Sequence, residues 1–160
     1  MIRVGPAGCK YKDWDGVVYP KPKPRGFDEL AYIAEYFEAV EINTSYYGPP
    51  RSSTAKKWVG SVGANDRFKF SAKLFHSFTH ERSPAPNDEK EFKDGIAPLV
   101  ETERFGALLI QFPWSFKSSP ENRGYLIDLQ KRFREYPLVV EVPHASWLEE
   151  PILDLLSERA

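Results

Sequence analysis

Five short apolar runs, with polar residues inside them or at their ends, restrict this chain more than any other feature. They are Ile2–Val4, Val40–Asn43, Phe68–Lys73, Leu108–Gln111 and Leu138–Val142. Runs of this length read as strands, and the stretches between them carry the spacing of amphipathic helices. Strands alternating with helices build parallel βαβ units. Repeated, these units give a (β/α) barrel whose chemistry lies at the carboxyl ends of the strands. The expected class is therefore α/β: a TIM-barrel-like (β/α) repeat with parallel strands, about five βα units, and an incomplete barrel. No linker or low-complexity stretch divides residues 1–160, so a single domain is expected.

The helices are marked by their own signals. One is expected from about Phe27, with Leu30, Ile33, Ala34 and Phe37 on one face. Ser52-Ser53-Thr54 reads as the cap of a second, running through Trp58. A third spans roughly Asp88–Val100 on an apolar side of Phe92, Ile96, Leu99 and Val100. Ser119-Pro120-Glu121 joins a cap residue, a proline at the first helical position and an acidic first turn. That helix turns Tyr125, Leu126, Leu129 and Phe133 to one side, and a last one is expected over Glu149–Glu158.

Two of the apolar runs hold a glutamate, Glu41 and Glu141. A carboxylate among β-branched residues is costly to bury unless it is paired or functional. Strand alternation sets Arg3, Glu41, Asn43, Lys73, Gln111 and Glu141 opposite the helix-facing residues, toward the barrel interior. The charges in that set balance. This fits a buried ion-pair network filling the barrel, and equally a site with Lys73 and the two glutamates at its mouth.

Charge and composition narrow the partners. Lys+Arg of 22 against Asp+Glu of 23 leave a net charge of -1, so nothing draws the whole chain to nucleic acid or anionic membrane. No apolar run approaches the roughly 20 residues that span a bilayer. The first residues lack a basic stretch followed by an apolar one, so no signal peptide is expected in them, and one cysteine, Cys9, permits no internal disulfide. A cytoplasmic protein is expected.

Several of these residues sit in motifs with a family resemblance. Gly5-Pro6-Ala7-Gly8-Cys9-Lys10-Tyr11-Lys12-Asp13-Trp14 and Val40-Glu41-Ile42-Asn43-Thr44-Ser45-Tyr46-Tyr47 resemble the opening motifs of the YecE-like family, the domain-of-unknown-function family numbered seventy-two. Phe70-Ser71-Ala72-Lys73 with Thr79-His80, Gln111-Phe112-Pro113-Trp114-Ser115-Phe116, and Glu141-Val142-Pro143-His144-Ala145-Ser146-Trp147 resemble its later ones. The likeness is collinear over essentially the whole chain. It implies a TIM-barrel-type fold and no established activity. Cys9 stands where that family usually has Trp, and Pro143 where an Arg commonly precedes the His. Such an Arg would be a bidentate anion binder. Family members continue through further strands, whereas this sequence stops about where a fifth helix would end. A closed barrel takes eight strands and typically about 250 residues. The chain is thus expected to be C-terminally incomplete, with self-association through the open edges at Ile2–Val4 and Leu138–Val142.

The expected site gathers strand-end residues. Glu41, Lys73, Glu141 and His144 are the catalytic candidates. Tyr11, Asp13, Trp14, Asn43, Tyr46, His80, Gln111 and Trp147 are the binding candidates. Tyr11, Asn43, Lys73, Gln111, Glu141 and His144 are expected to converge at one end of the sheet. No metal is assigned, because His80, His144, Glu41 and Glu141 show no tight ligand spacing among themselves. No cofactor motif identifies a cofactor. Cys9 has no local His or Asp to make it a nucleophile. Tyr11, Trp14, Tyr19, Tyr46, Tyr47, Trp114, Phe116 and Trp147 all follow strands, and serve either as stacking platforms or as a packed lid. Two function classes remain open beside a non-catalytic remnant. One is an enzyme on a small polar or carbohydrate-like metabolite, with Glu41 or Glu141 as acid or base and Lys73 as stabiliser or nucleophile. The other is a module binding nucleic acid or a phosphorylated ligand through Lys73, Arg51 and the aromatic rings.

Overall fold

Alternating strands and helices build one parallel sheet in the computed structural model, which describes residues 2–149. The elements are α1 (Glu29–Tyr36), β1 (Ala39–Ile42), α2 (Ser52–Ser61), β2 (Lys69–Lys73), α3 (His76–Thr79), α4 (Asp88–Glu101), β3 (Phe105–Gln111), α5 (Pro120–Arg132) and β4 (Leu138–Glu141). The sheet order is β1-β2-β3-β4, and every pair is parallel. This is a TIM-barrel-like (β/α) arrangement, open rather than closed among the described residues. The helix expected over Glu149–Glu158 falls outside them.

The first expected strand does not form as one. Among the described residues, two backbone bonds tie the stretch from Val4 to Pro6 to β1 and the residue before it: Glu38 N–H donates to the Val4 carbonyl and Glu41 N–H to that of Pro6. Two features cut the ladder short. Pro6 has no N–H to give back, and Ile2 and Val4 are 89% and 67% exposed, so neither side chain is buried by pairing. Gly5 must be glycine here, since any Cβ would collide with the Ala39 carbonyl. Four strands, not five, are therefore formed among the described residues.

Alternation along the strands divides the sheet as the sequence pattern requires. Val40, Ile42, Phe70, Ala72, Leu108 and Ile110 are buried against the helices. Glu41, Ser71, Lys73, Leu109 and Gln111 are half-buried on the other face, while Glu141 is exposed. A register shift between Phe70 and Ser71 leaves Gly106 unpaired opposite β2. That extra residue re-phases β3, so that Leu108 and Ile110 enter the core and Leu109 and Gln111 do not.

The helices follow their signals with local corrections. In α5, Ser119 Oγ accepts from Asn122 N–H, Pro120 opens the helix, and Leu126, Leu129 and Phe133 are buried. In α4, Phe92, Ile96 and Leu99 are buried, but Val100 points outward at 40% exposure. Gly95 completes that buried side, because a Cβ there would strike the Pro50 carbonyl. Helix α2 starts at Ser52 without a side-chain cap; Arg51 precedes it, so the serines lie inside the first turn.

Helix α1 is capped by Asp28. Its Oδ1 accepts from the N–H groups of Leu30 (2.9 Å) and Ala31 (3.1 Å), and Oδ2 from the Ser61 hydroxyl at 2.6 Å. Burial pushes the carboxyl up, yet the Ser61 hydroxyl and the two amides outweigh it and hold Asp28 below its ordinary value. Asp28→Ala should cost about 1 kcal/mol, within the usual range of roughly 0.5–2 for a lost cap. A depressed carboxyl contributes stability that is complete above its unfolded pKa and is lost as pH falls through the folded one. Thermal melts of wild type and variant should accordingly differ at neutral pH and converge in acid.

Candidate functional site

The carboxyl ends of β1, β2 and β3 meet around a cleft of about 360 Å³ lined by Asn43, Tyr46, Tyr47, Lys73, His80 and Gln111. Each strand delivers its residue through the same alternation. Lys73 ends β2, Gln111 ends β3, and Asn43 follows β1 at the start of a 3-10 turn through Tyr46. Buried Ser45 fixes that turn: its Oγ lies 2.6 Å from the Ile42 carbonyl and 2.7 Å from the Lys73 carbonyl. One hydroxyl proton serves either carbonyl, so Ser45 ties the end of β1 to the end of β2.

Lys73 Nζ lies 3.6 Å from Glu41 Oε1, and both side chains are about one-fifth exposed. At that separation the two form an ion pair without a short hydrogen bond, which leaves ammonium protons free. Asn43 Nδ2 donates to the Ala7 carbonyl at 2.7 Å and holds the Gly5–Gly26 loop against β1. Its Oδ1 is a buried side-chain polar atom without a partner among the described residues.

Tyr46 stands between two histidines, with ring centroids 5.5 Å from His76 and 5.1 Å from His80. His76 Nδ1 lies 3.1 Å from Glu81 Oε1. His80 Nδ1 lies 2.9 Å from the hydroxyl of buried Thr79. Burial first, then the positive charges of His76 and Lys73, hold His80 below its ordinary imidazole value.

The other expected residues are placed around this cleft. Tyr11 lines a neighbouring cavity of about 480 Å³ on the helix side of β1, with Cys9, Leu30, Trp58 and Phe70. Asn43 borders both spaces. Trp14 packs on Tyr11 and Tyr19, and Asp13 is exposed. Glu141 lies opposite Gln111 in register, exposed and without an ion-pair partner among the described residues. Arg3 is also exposed. Within the balanced polar set, Glu41 and Lys73 are the one ion pair among the described residues, and these residues form no filled ionic interior. An open sheet leaves the Glu141 carboxylate in water, where it needs no partner. His144 follows β4, where its Nδ1 accepts from Ser146 N–H and its ring lies 5.0 Å from that of Trp114. Trp147 is buried, stacks on Phe116 and donates to the Phe116 carbonyl at 2.7 Å. It packs as core rather than facing the cleft. Burial drives the Cys9 thiol up against the pull of Lys10, which disfavours a thiolate.

His76 is not among the residues expected from the sequence, although the sequence carries a signal for it. His76-Ser77-Phe78-Thr79-His80 sets two histidines four positions apart, the spacing that brings side chains to one side of a helical turn. Among the described residues, no three His, Cys, Asp or Glu side chains gather closely enough to hold a metal. No helix described is long and apolar enough to cross a membrane.

With this geometry in hand, residues 3–160 match a family model described as protein of unknown function DUF72. The chain is 29% identical over 160 residues to the UPF0759 protein YunF of Bacillus subtilis, covering 96% of this chain and 55% of that protein. It superposes on the crystal structure of a DUF72 family protein from Thermotoga maritima with a TM-score of 0.83 and 33% identity, covering 99% of this chain and 62% of that one. A DUF72 family protein from Enterococcus faecalis gives a TM-score of 0.79 at 25% identity, covering 98% and 56%. The chain thus spans little more than half the length of the relatives it matches.

Proposed function

We propose that this chain, which belongs to the DUF72 family of proteins of unknown function, carries an enzyme site for a small polar or carbohydrate-like metabolite at its strand ends. One observation carries the proposal: Glu41 and Lys73, on adjacent parallel strands, hold a carboxylate and an ammonium 3.6 Å apart, Lys73 lining the polar cleft and Glu41 the cavity next to it. A positioned carboxylate takes or gives a proton, and an ammonium beside it stabilises negative charge as it develops. Asn43 and Gln111 bring amide groups and Tyr46 and Tyr47 bring rings to the same cleft, a lining suited to a hydroxyl-rich body. His144 and Glu141 belong to the flanking β4 end and come second to this pair. One half-buried cysteine without a second thiol supports a reducing, cytoplasmic setting.

The test compares wild type with Glu41→Gln on chromogenic glycosides, and on free sugars and hydroxy acids followed by NMR. Wild type should convert at least one of these compounds, and the folded variant should lose about 10²–10⁴-fold in rate. Equal conversion by both proteins, or none by either, would sink the enzymatic reading.

A further inference from the structure

The cleft gathers nitrogen donors beyond the Glu41–Lys73 pair. Lys73 and His80 line it, and His76 lies behind Tyr46. None of its six lining residues is a carboxylate. The nearby acids are already committed or lie to one side. Glu41 pairs with Lys73, Glu81 faces His76, and Glu141 stands exposed on β4.

Thr79 engages one ring nitrogen of His80, Nδ1, and not the other. Its buried hydroxyl has His80 Nδ1 as its hydrogen-bond partner. When that hydroxyl donates to Nδ1, neutral His80 keeps its proton on Nε2. When His80 is protonated, Nδ1–H donates to Thr79 and Nε2 is again an N–H. With Thr79 donating to Nδ1, and again when the ring is protonated, Nε2 is a donor, and Lys73 adds ammonium protons that Glu41 does not consume.

We propose that Lys73 Nζ and His80 Nε2 form an oxyanion subsite, taking a carboxylate or phosphate group carried by the cleft's ligand. The subsite rests on the cleft being a ligand site, as proposed above, but not on proton transfer by Glu41. It names the substrate class: a small hydroxylated compound bearing one anionic group. Charge-assisted bonds to such a group are the strong ones available here. A negative charge arriving there offsets what depresses His80, burial first and then the positive charges of His76 and Lys73. An anion raises the His80 pKa, so binding takes up protons and weakens as pH rises through the value in the complex. Tyr46, Tyr47 and Gln111 complete the surroundings without a charge that opposes this sign.

The His80 ring resonance of the whole chain, titrated by NMR with and without inorganic phosphate or acetate, tests the subsite. Acetate keeps a constant charge across the histidine range, so it separates the titration of His80 from that of phosphate. We expect either anion to raise the His80 pKa. Lys73→Met should weaken binding by about tenfold or more, while Lys73→Arg, which keeps the charge, should retain it. His80→Gln should bind acetate with a clearly smaller pH dependence in this range than wild type. Phosphate acting alone would assign a phosphorylated ligand, and acetate alone a carboxylate, each supporting the subsite. No shift of His80 with either anion overturns it, even if turnover dependent on Glu41 is found. A shift retained in Glu41→Gln, without turnover by any variant, upholds the subsite and removes only the enzymatic reading.

Discussion

Phe70→Ala should cost about 3–5 kcal/mol, the range for a large aromatic removed from a packed core. Phe70 is fully buried as the second residue of β2, in register between Val40 of β1 and Phe105 of β3. Its ring meets Phe68 edge-on at 5.3 Å and lies parallel to Trp58 at 6.5 Å. It also lines the cavity of about 480 Å³ beside β1, so truncation enlarges a void already present. Folding free energies of roughly 5–15 kcal/mol leave little after such a loss. Ser71 and Lys73 continue the same strand, and the cleft should therefore disappear together with the fold. Urea unfolding of Phe70→Ala and Phe70→Leu measures this, the leucine variant being the milder one. A cost below about 1 kcal/mol for alanine would mean that neighbours collapse into the space, and that Phe70 does not hold the sheet.

The residues that made the fold legible are those whose burial follows from a simple period. Val40 and Ile42, Phe70 and Ala72, and Leu108 and Ile110 alternate with polar neighbours, and all six are buried. Ser119 and Pro120 announced α5 because a cap and a first-turn proline act locally. Ile2–Val4 misled because alternation says nothing about whether a partner is available on both sides, nor that Gly5 must pass close to Ala39. Val100 misled because apolar spacing alone does not fix the edge of a helix's buried face. In the cleft, Asn43, Lys73 and Gln111 were readable as strand tips, and Tyr46 and His80 came with their motifs. The roles of Ser45, His76 and Thr79 were not, since each depends on a contact made in space: Ser45 with the Lys73 carbonyl, His76 with Tyr46 and Glu81, Thr79 with the ring of His80. Glu41 and Glu141 look alike in sequence, both within β-branched runs. Only the sheet separates them, one against Lys73 on β2 and the other exposed on β4.

That difference predicts opposite outcomes for the same substitution. Removing one member of a buried ion pair typically costs about 3–5 kcal/mol, because the remaining charge stays unpaired in a low-dielectric setting. Glu41 and Lys73 are about one-fifth exposed and 3.6 Å apart, so solvent screens part of that penalty. Glu41→Gln and Lys73→Met should each cost roughly 1–3 kcal/mol. In the double variant neither charge remains to be compensated, and its loss should fall short of the two singles added together by about 1 kcal/mol or more. Glu141→Gln, on an exposed carboxylate without an ion partner among the described residues, should stay within about 0.5 kcal/mol. Chemical unfolding of the four variants at neutral pH and two salt concentrations reads all of this at once. Salt should shrink the Glu41–Lys73 coupling only partly, since a half-buried pair is less screened than a surface one. Additive singles would show that the pair is merely adjacent. A Glu141→Gln loss as large as that of Glu41→Gln would mean that the β4 carboxylate has a partner, and the site would then have to be redrawn around Glu141.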